Sequence, residues 1–269
     1  MNRALVFDCD GVLADTERYG HLVAFNALFA EVGLDLSWSA DRYVPLLRIG
    51  GGKERLLALF RDAEWVARNR LPQDRNEQLR LVAGWHRRKT EIFRDLVARG
   101  ALPPRSGVAR LAAEAQGAGW QTAVASTASG ESVAAIIEHV FPAQAAAAFR
   151  VFAGDIVGRK KPAADIYRLA LAELGRSPGE VCVIEDSGQG LLAALGAGCA
   201  TIITVSGFTA ADDFSGAALV VDCLGDELHP ARVLASRLPQ SPGGLVTLET
   251  CEAAIRWAAA ESPGKEGGS

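Results

Sequence analysis

Four apolar residues, Ala4 to Phe7, run without a break into Asp8-Cys9-Asp10-Gly11. A short apolar run stopped by polar and turn residues predicts a strand buried on both faces whose C-terminal end opens into a loop. From residue 17 to about residue 94 the pattern changes. Helix formers dominate, apolar residues recur at helical spacing, and Trp38, Trp65 and Trp85 fall inside the stretch, which predicts a small helical insertion. After Pro103-Pro104 an alternation of helix and strand resumes. Helices are predicted over 107–117, 132–141 and 163–174, and strands over 122–125, 151–153, 181–184, 201–205 and 219–221. Strands alternating with helices of this length predict an α/β fold with a parallel sheet covered on both faces. The expected organisation is a core from residues 1–16 and 95–238, a helical insertion at 17–94 and a C-terminal extension at 239–269. That extension holds a short predicted helix at 248–260 and ends in Pro-Gly-Lys-Glu-Gly-Gly-Ser, which reads as disordered.

Composition narrows the class. The 269 residues suffice for one core with a modest insertion, and 49% hydrophobic against 22% charged residues is the balance of a globular chain with a sizeable interior. A formal net charge of -4 supplies no basic field for a nucleic-acid backbone, so no nucleic-acid partner is expected. Cys9, Cys182, Cys199, Cys223 and Cys251 form no CxxC pair and no metal-ligand spacing with the four histidines, and read as small core fillers. The first residues fit neither a signal peptide nor a membrane span, so no membrane partner and a cytoplasmic location with reduced thiols are expected.

The predicted strand ends carry the chemistry: Asp8 with Asp10, Ser126 with Thr127, Lys161 just beyond a strand, and Glu185 with Asp186. In a parallel sheet such ends converge on one crevice. Carboxylates, a hydroxyl and a lysine suit phosphoryl transfer, because two or three carboxylates with waters form the hard oxygen set that Mg2+ prefers. Asp8 is the candidate nucleophile, forming an aspartyl-phosphate that divides one hard displacement into two easier ones. Asp10 is placed to protonate the leaving alkoxide and then to deprotonate the attacking water. Lys161 and the Ser126 hydroxyl would hold the phosphoryl oxygens. Lys160 stands beside Lys161, and Pro162 fixes the turn so that Lys161 is the inward one.

Asp8-Cys9-Asp10-Gly11-Val12-Leu13-Ala14-Asp15-Thr16 resembles the first motif of the haloacid dehalogenase superfamily. Ser126, Lys161-Pro162-Ala163-Ala164-Asp165 and Glu185-Asp186-Ser187 resemble its second, third and fourth motifs, in order, and the likeness runs from about residue 4 to 221. The resemblance implies a Rossmann-like parallel core with an inserted helical cap. It also implies Mg2+ held by the Asp8 carboxylate, the Asp10 main-chain carbonyl and Asp186, with Glu185 beside it. Within the superfamily the chain is similar to the CbbY-like sugar phosphatases, which implies hydrolysis of xylulose 1,5-bisphosphate to xylulose 5-phosphate. The same likeness makes substrate contacts of Glu17, of Gly51, Gly52, Lys53, Glu54 and Arg55, and of the His86-Arg87-Arg88-Lys89 run, with Thr127 and Ser129 beside Ser126. A bisphosphate needs a second anion site away from the metal, which arginine and lysine could supply.

On a helix, positions three apart share a face, so His86 and Lys89 pair while Arg87 or Arg88 needs a different reach. A small phosphorylated sugar is thus the expected partner of a monomeric chain. Two alternatives stand beside this reading. One is a sugar phosphomutase of the β-phosphoglucomutase type, with which Val12 is compatible; the other is a non-catalytic binding module, which the presence of both Asp8 and Asp10 disfavours.

Overall fold

The computed structural model describes residues 3–261. The chain divides into two compact units, one of Met1–Asp15 and Pro104–Ser269, the other of Thr16–Pro103.

The first unit is built on a seven-stranded sheet of β1 (Ala4–Phe7), β2 (Gln121–Ser126), β3 (Phe149–Ala153), β4 (Val181–Glu185), β5 (Ala200–Thr204), β6 (Leu219–Val221) and β7 (Val233–Ser236). Its order is β3-β2-β1-β4-β5-β6-β7, with parallel pairing except between β6 and β7. The central strands are apolar because both faces are covered: every residue of β1, β4 and β5 is buried. Edge strand β3 departs from this, leaving Arg150 and Val151 exposed. Chain order runs outward from β1 through β2 to β3, then returns to β4 on the other side of β1. The reversal between β1 and β4 is the topological switch point, where α/β sheets open a crevice. All five strands expected after Pro103-Pro104 are present within about two residues of their expected ends; the antiparallel edge strand β7 was not among them.

In the second unit α1 (Leu22–Glu31), α2 (Ala40–Tyr43), α3 (Gly52–Ala58), α4 (Ala63–Arg68) and α5 (Arg75–Ala98) enclose a core of their own. Phe25, Phe29, Trp38 and Tyr43 pack ring against ring, with Trp38 centred 4.8 Å from Phe29 and 5.0 Å from Phe25. Helix α5 starts where Asp74 caps it, its carboxylate accepting the Glu77 N–H at 2.9 Å. It buries Val82, Trp85, Lys89, Phe93 and Val97, a stripe at three- and four-residue spacing. The helix runs unbroken past residues 94 and 95, so the units divide at Pro103 and not within it.

The first unit continues through α6 (Val108–Gly117), α7 (Gly130–Val140), α8 (Ala143–Ala147), α9 (Asp165–Leu174), α10 (Gly188–Gly196) and α11 (Leu248–Glu261). The C-terminal segment belongs to it. Helix α11 buries Cys251, Ala254 and Ile255, and the Arg110 guanidinium donates to the carbonyls of Leu224, Gly225 and Val246 at 2.7–3.1 Å. The Pro-Gly-Lys-Glu-Gly-Gly-Ser end expected to be disordered lies outside the described residues. No helix among the described residues is long and apolar enough to cross a membrane.

Candidate active site

Asp8 is the first residue past β1, and its N–H donates to the Ile184 carbonyl at 2.8 Å, which carries the β1–β4 pairing to the mouth of the switch point. Glu185 ends β4 and Asp186 follows it. One carboxylate oxygen from each of Asp8, Glu185 and Asp186 lies within 4.8 Å of the others, and all three residues are buried. Gly11 makes room for this arrangement: its φ of +78° suits glycine, and a Cβ there would fall 2.2 Å from Asp186 Oδ2.

Lys161 ties the cluster together. Its ammonium donates to Asp8 Oδ1 and Glu185 Oε1, each at 2.6 Å, and to the Ala125 carbonyl at 3.0 Å. Its neighbour Lys160 instead faces Asp155 at 3.2 Å, so of the two lysines 161 is the inward one. Glu185 Oε1 also accepts from the Tyr167 hydroxyl at 2.7 Å, while Oε2 takes the N–H groups of Asp186 and Ser187 and the Ser187 hydroxyl at 3.0–3.3 Å.

Three buried carboxylates against one ammonium leave uncompensated negative charge. Burial pushes the Asp8 carboxyl up to about 7 against the pull of Lys161, with Glu185 and Asp10 adding repulsion. Burial, then Glu185 and Asp8, hold the Asp186 carboxyl well above its ordinary value. For Lys161 burial alone would lower the ammonium, but Asp8 and Glu185 outweigh it and hold it well above its usual range. Burial likewise raises the Tyr167 phenol, so it remains a donor. A divalent cation is what such an oxygen-rich cluster with its excess of negative charge fits.

The remaining residues expected at the strand ends divide. Ser126 is buried at the end of β2, its Oγ accepting the Ala128 N–H at 3.0 Å, and Thr127 beside it is half-buried. The Ser129 hydroxyl caps α7, accepting the Ser132 N–H at 3.3 Å. Asp10 is half-buried and lies outside the three-carboxylate cluster.

Within the second unit the structure brings Glu17 and Arg55 together through Tyr43, whose hydroxyl donates to Glu17 Oε2 at 2.8 Å and accepts from Arg55 at 2.8 Å. Gly51 has φ +103°, and a Cβ on Gly52 would lie 3.0 Å from the His86 ring, so α3 begins against α5. Lys89 is buried, with Nζ 2.6 Å from His21 Nδ1 and about 5 Å above the rings of Phe25 and Phe93. Burial, then Lys89 and Lys53, push His86 down to about 4, so this imidazole is neutral at neutral pH. Glu54 acts on the same imidazole with the opposite sign. Arg87 does not join this group: it is exposed on another face of α5. Arg88, equally exposed, is bound to Glu31 at 2.7 and 2.8 Å and to Glu91 at 2.9 Å. Tyr167, Tyr43 and His21 were not foreseen, because aromatic residues at helical spacing read as core.

The fold and this cluster define a hydrolase of the haloacid dehalogenase type. The family model described as haloacid dehalogenase-like hydrolase matches residues 2–198, and the chain belongs to that family. It is a phosphoric monoester hydrolase of CbbY-like type. It is 40% identical over 259 residues to the plasmid-borne protein CbbY of Cupriavidus necator, covering 95% of this chain and 93% of that one. The crystal structure of CbbY from Rhodobacter sphaeroides in complex with phosphate matches with a TM-score of 0.72 at 40% identity, over 83% of this chain and 95% of that one. A mutant of the same protein in complex with xylulose 1,5-bisphosphate matches with a TM-score of 0.72 at 39% identity, over the same shares of the two chains.

Proposed function

We propose that the chain is a Mg2+-dependent phosphatase that removes one phosphate from a sugar bisphosphate, with xylulose 1,5-bisphosphate the leading substrate. The observation that carries this reading is the Asp8 carboxylate, bonded to Lys161 and gathered with Asp186 and Glu185 at the sheet's switch point. The crystallised relative that binds xylulose 1,5-bisphosphate supports the choice of sugar.

Asp8 attacks phosphorus with a carboxylate oxygen, forming the aspartyl-phosphate as the bond from phosphorus to the sugar oxygen breaks. Asp10 gives its proton to the departing alkoxide, then takes one from the water that attacks the aspartyl-phosphate, which releases inorganic phosphate and restores Asp8. Lys161 and the Ser126 hydroxyl hold the phosphoryl oxygens as charge spreads over them. Asp8, the Asp10 carbonyl and Asp186, with Glu185 beside them, are the residues that would hold Mg2+, whose contribution when bound is to neutralise repulsion between Asp8 and the phosphate. In the second unit Lys53, Arg55, His86 and Lys89 are proposed to select the second phosphate, with Glu17 toward the sugar hydroxyls.

Asp8→Asn tests the core of the reading. It is expected to abolish phosphate release and phosphoenzyme formation with the fold intact by circular dichroism; retained activity would remove Asp8 from the nucleophile's role. Lys53→Ala is expected to lower turnover of the bisphosphate more than that of an aryl phosphate, and equal losses would argue against a second phosphate site there. Incubation with a hexose 1-phosphate separates hydrolysis from the mutase alternative, since a phosphatase yields free phosphate and a mutase yields hexose 6-phosphate.

A further inference from the structure

All three N–H donors of the Lys161 ammonium are engaged within the protein, on Asp8 Oδ1, Glu185 Oε1 and the Ala125 carbonyl. To hold a phosphoryl oxygen during transfer, the ammonium has to withdraw a donor from one of them. The cost of that withdrawal depends on what the abandoned acceptor keeps, because a buried anion left without a donor is strongly disfavoured. Glu185 Oε1 keeps the Tyr167 hydroxyl at 2.7 Å.

Glu185 cannot follow the lysine. Its Oε2 is fixed by the N–H groups of Asp186 and Ser187 and by the Ser187 hydroxyl, and its carboxylate lies against Gly190, where a Cβ would fall 1.8 Å from Oε1. The motion therefore belongs to Lys161. Its Nζ lies 4.8 Å from the centre of the Tyr167 ring, an aromatic face that favours the ammonium's charge.

We infer that Tyr167 is a positioning residue for phosphoryl transfer, its hydroxyl keeping Glu185 Oε1 hydrogen-bonded while Lys161 turns an N–H from that oxygen to the phosphoryl group. The inference rests on the phosphatase reading above. Tyr167 touches neither substrate nor phosphorus in this scheme; it acts through Glu185 and Lys161.

Tyr167→Phe keeps the buried ring and removes the hydroxyl. With Mg2+ and a sugar bisphosphate that the wild type hydrolyses, kcat is expected to fall about tenfold while KM stays unchanged, since the lost interaction matters only once Lys161 has turned. In a Glu185→Gln background the same change is expected to lower kcat by less than about twofold, because the anionic acceptor that couples the two residues is gone. A tyrosine that merely fills the core would produce the same fractional loss in both backgrounds. That result, or an unchanged kcat in Tyr167→Phe, overturns the proposal. If Tyr167→Phe fails to fold by circular dichroism, a fluorotyrosine placed at position 167 alone takes its stead, altering the strength of the hydroxyl donor at nearly constant volume; an unchanged kcat there overturns the proposal equally. Wild-type protein that releases no phosphate from any phosphomonoester overturns the phosphatase reading and this inference with it. An active wild type with an unaffected Tyr167→Phe removes the inference alone.

Discussion

At the scale of single residues, the site depends on what is missing as much as on what is present. The Asp186 carboxylate occupies the volume that any side chain on Gly11 would need, and the backbone there holds φ at +78°. In Gly11→Ala the atom first met is the end of a short side chain, which can turn aside, so stability is expected to fall by only about 1–2 kcal/mol from the strained backbone. The turned carboxylate is one of the three that define the cluster, so kcat is expected to fall on the order of 100-fold, since small misplacements of reacting groups are costly. Urea unfolding and steady-state kinetics on one preparation check both halves; full activity would show that Asp186 can be displaced without consequence. Asp8 and Asp186 were legible in the sequence because each is a polar residue at the end of an apolar run, and Lys161 because Pro162 fixes the turn that makes it, and not Lys160, the inward lysine. Tyr167 was not, since it lies in the stripe of Ile166, Tyr167, Ala170, Leu171 and Leu174 that α9 buries, and only the fold brings it to Glu185, eighteen residues on.

At the scale of elements, legibility followed burial. The central strands read directly because both their faces are apolar, whereas the Val233-Leu234-Ala235 run of β7 is flanked by Arg232 and Arg237 and lies on a sheet edge where three of the strand's four residues are exposed. The insertion was legible as helical, but its internal contacts were not, because they depend on helix phase. The His86-Arg87-Arg88-Lys89 run shows this: three-residue spacing set His86 apart with Lys89, and the structure leaves Arg87 and Arg88 exposed while Lys89 enters the apolar stripe of α5. The start of that helix is marked by Asp74, whose carboxylate accepts the Glu77 N–H. Asp74→Ala is therefore expected to destabilise the protein by about 1 kcal/mol, the usual cost of losing an N-cap, as read from the shift in chemical denaturation midpoint. A midpoint unmoved by the change would mean that tertiary packing alone sets where α5 begins.

At the scale of the whole molecule, one unit is assembled from two chain segments around β1, and contacts outside the carboxylate cluster close it. Arg110 gathers carbonyls of Leu224, Gly225 and Val246 and thereby seats the chain that leads into α11. This scaffold is stable enough to hold three carboxylates together in a buried place where they repel one another. Asp8 carries the consequence: its carboxyl is pushed from 3.8 to about 7 by burial against the pull of Lys161, with Glu185 and Asp10 adding to the rise. A carboxyl whose folded value lies above its unfolded one binds its proton more tightly in the folded state. Its contribution to stability is therefore full below 3.8 and is lost as the pH climbs to about 7. The raised Asp186 acts in the same direction. A cation bound by the folded state offsets that loss by mass action, and most where the carboxylates are ionised. In a chelator the melting temperature is thus expected to decline between pH 4 and about pH 7. Saturating Mg2+ should raise it by more near pH 7 than near pH 4, and should raise it much less in Asp186→Asn. Calorimetric scans across that range, with and without Mg2+, decide the matter. An increment that is the same at both ends of the range, or undiminished in the variant, would place the cation elsewhere than among Asp8, Glu185 and Asp186.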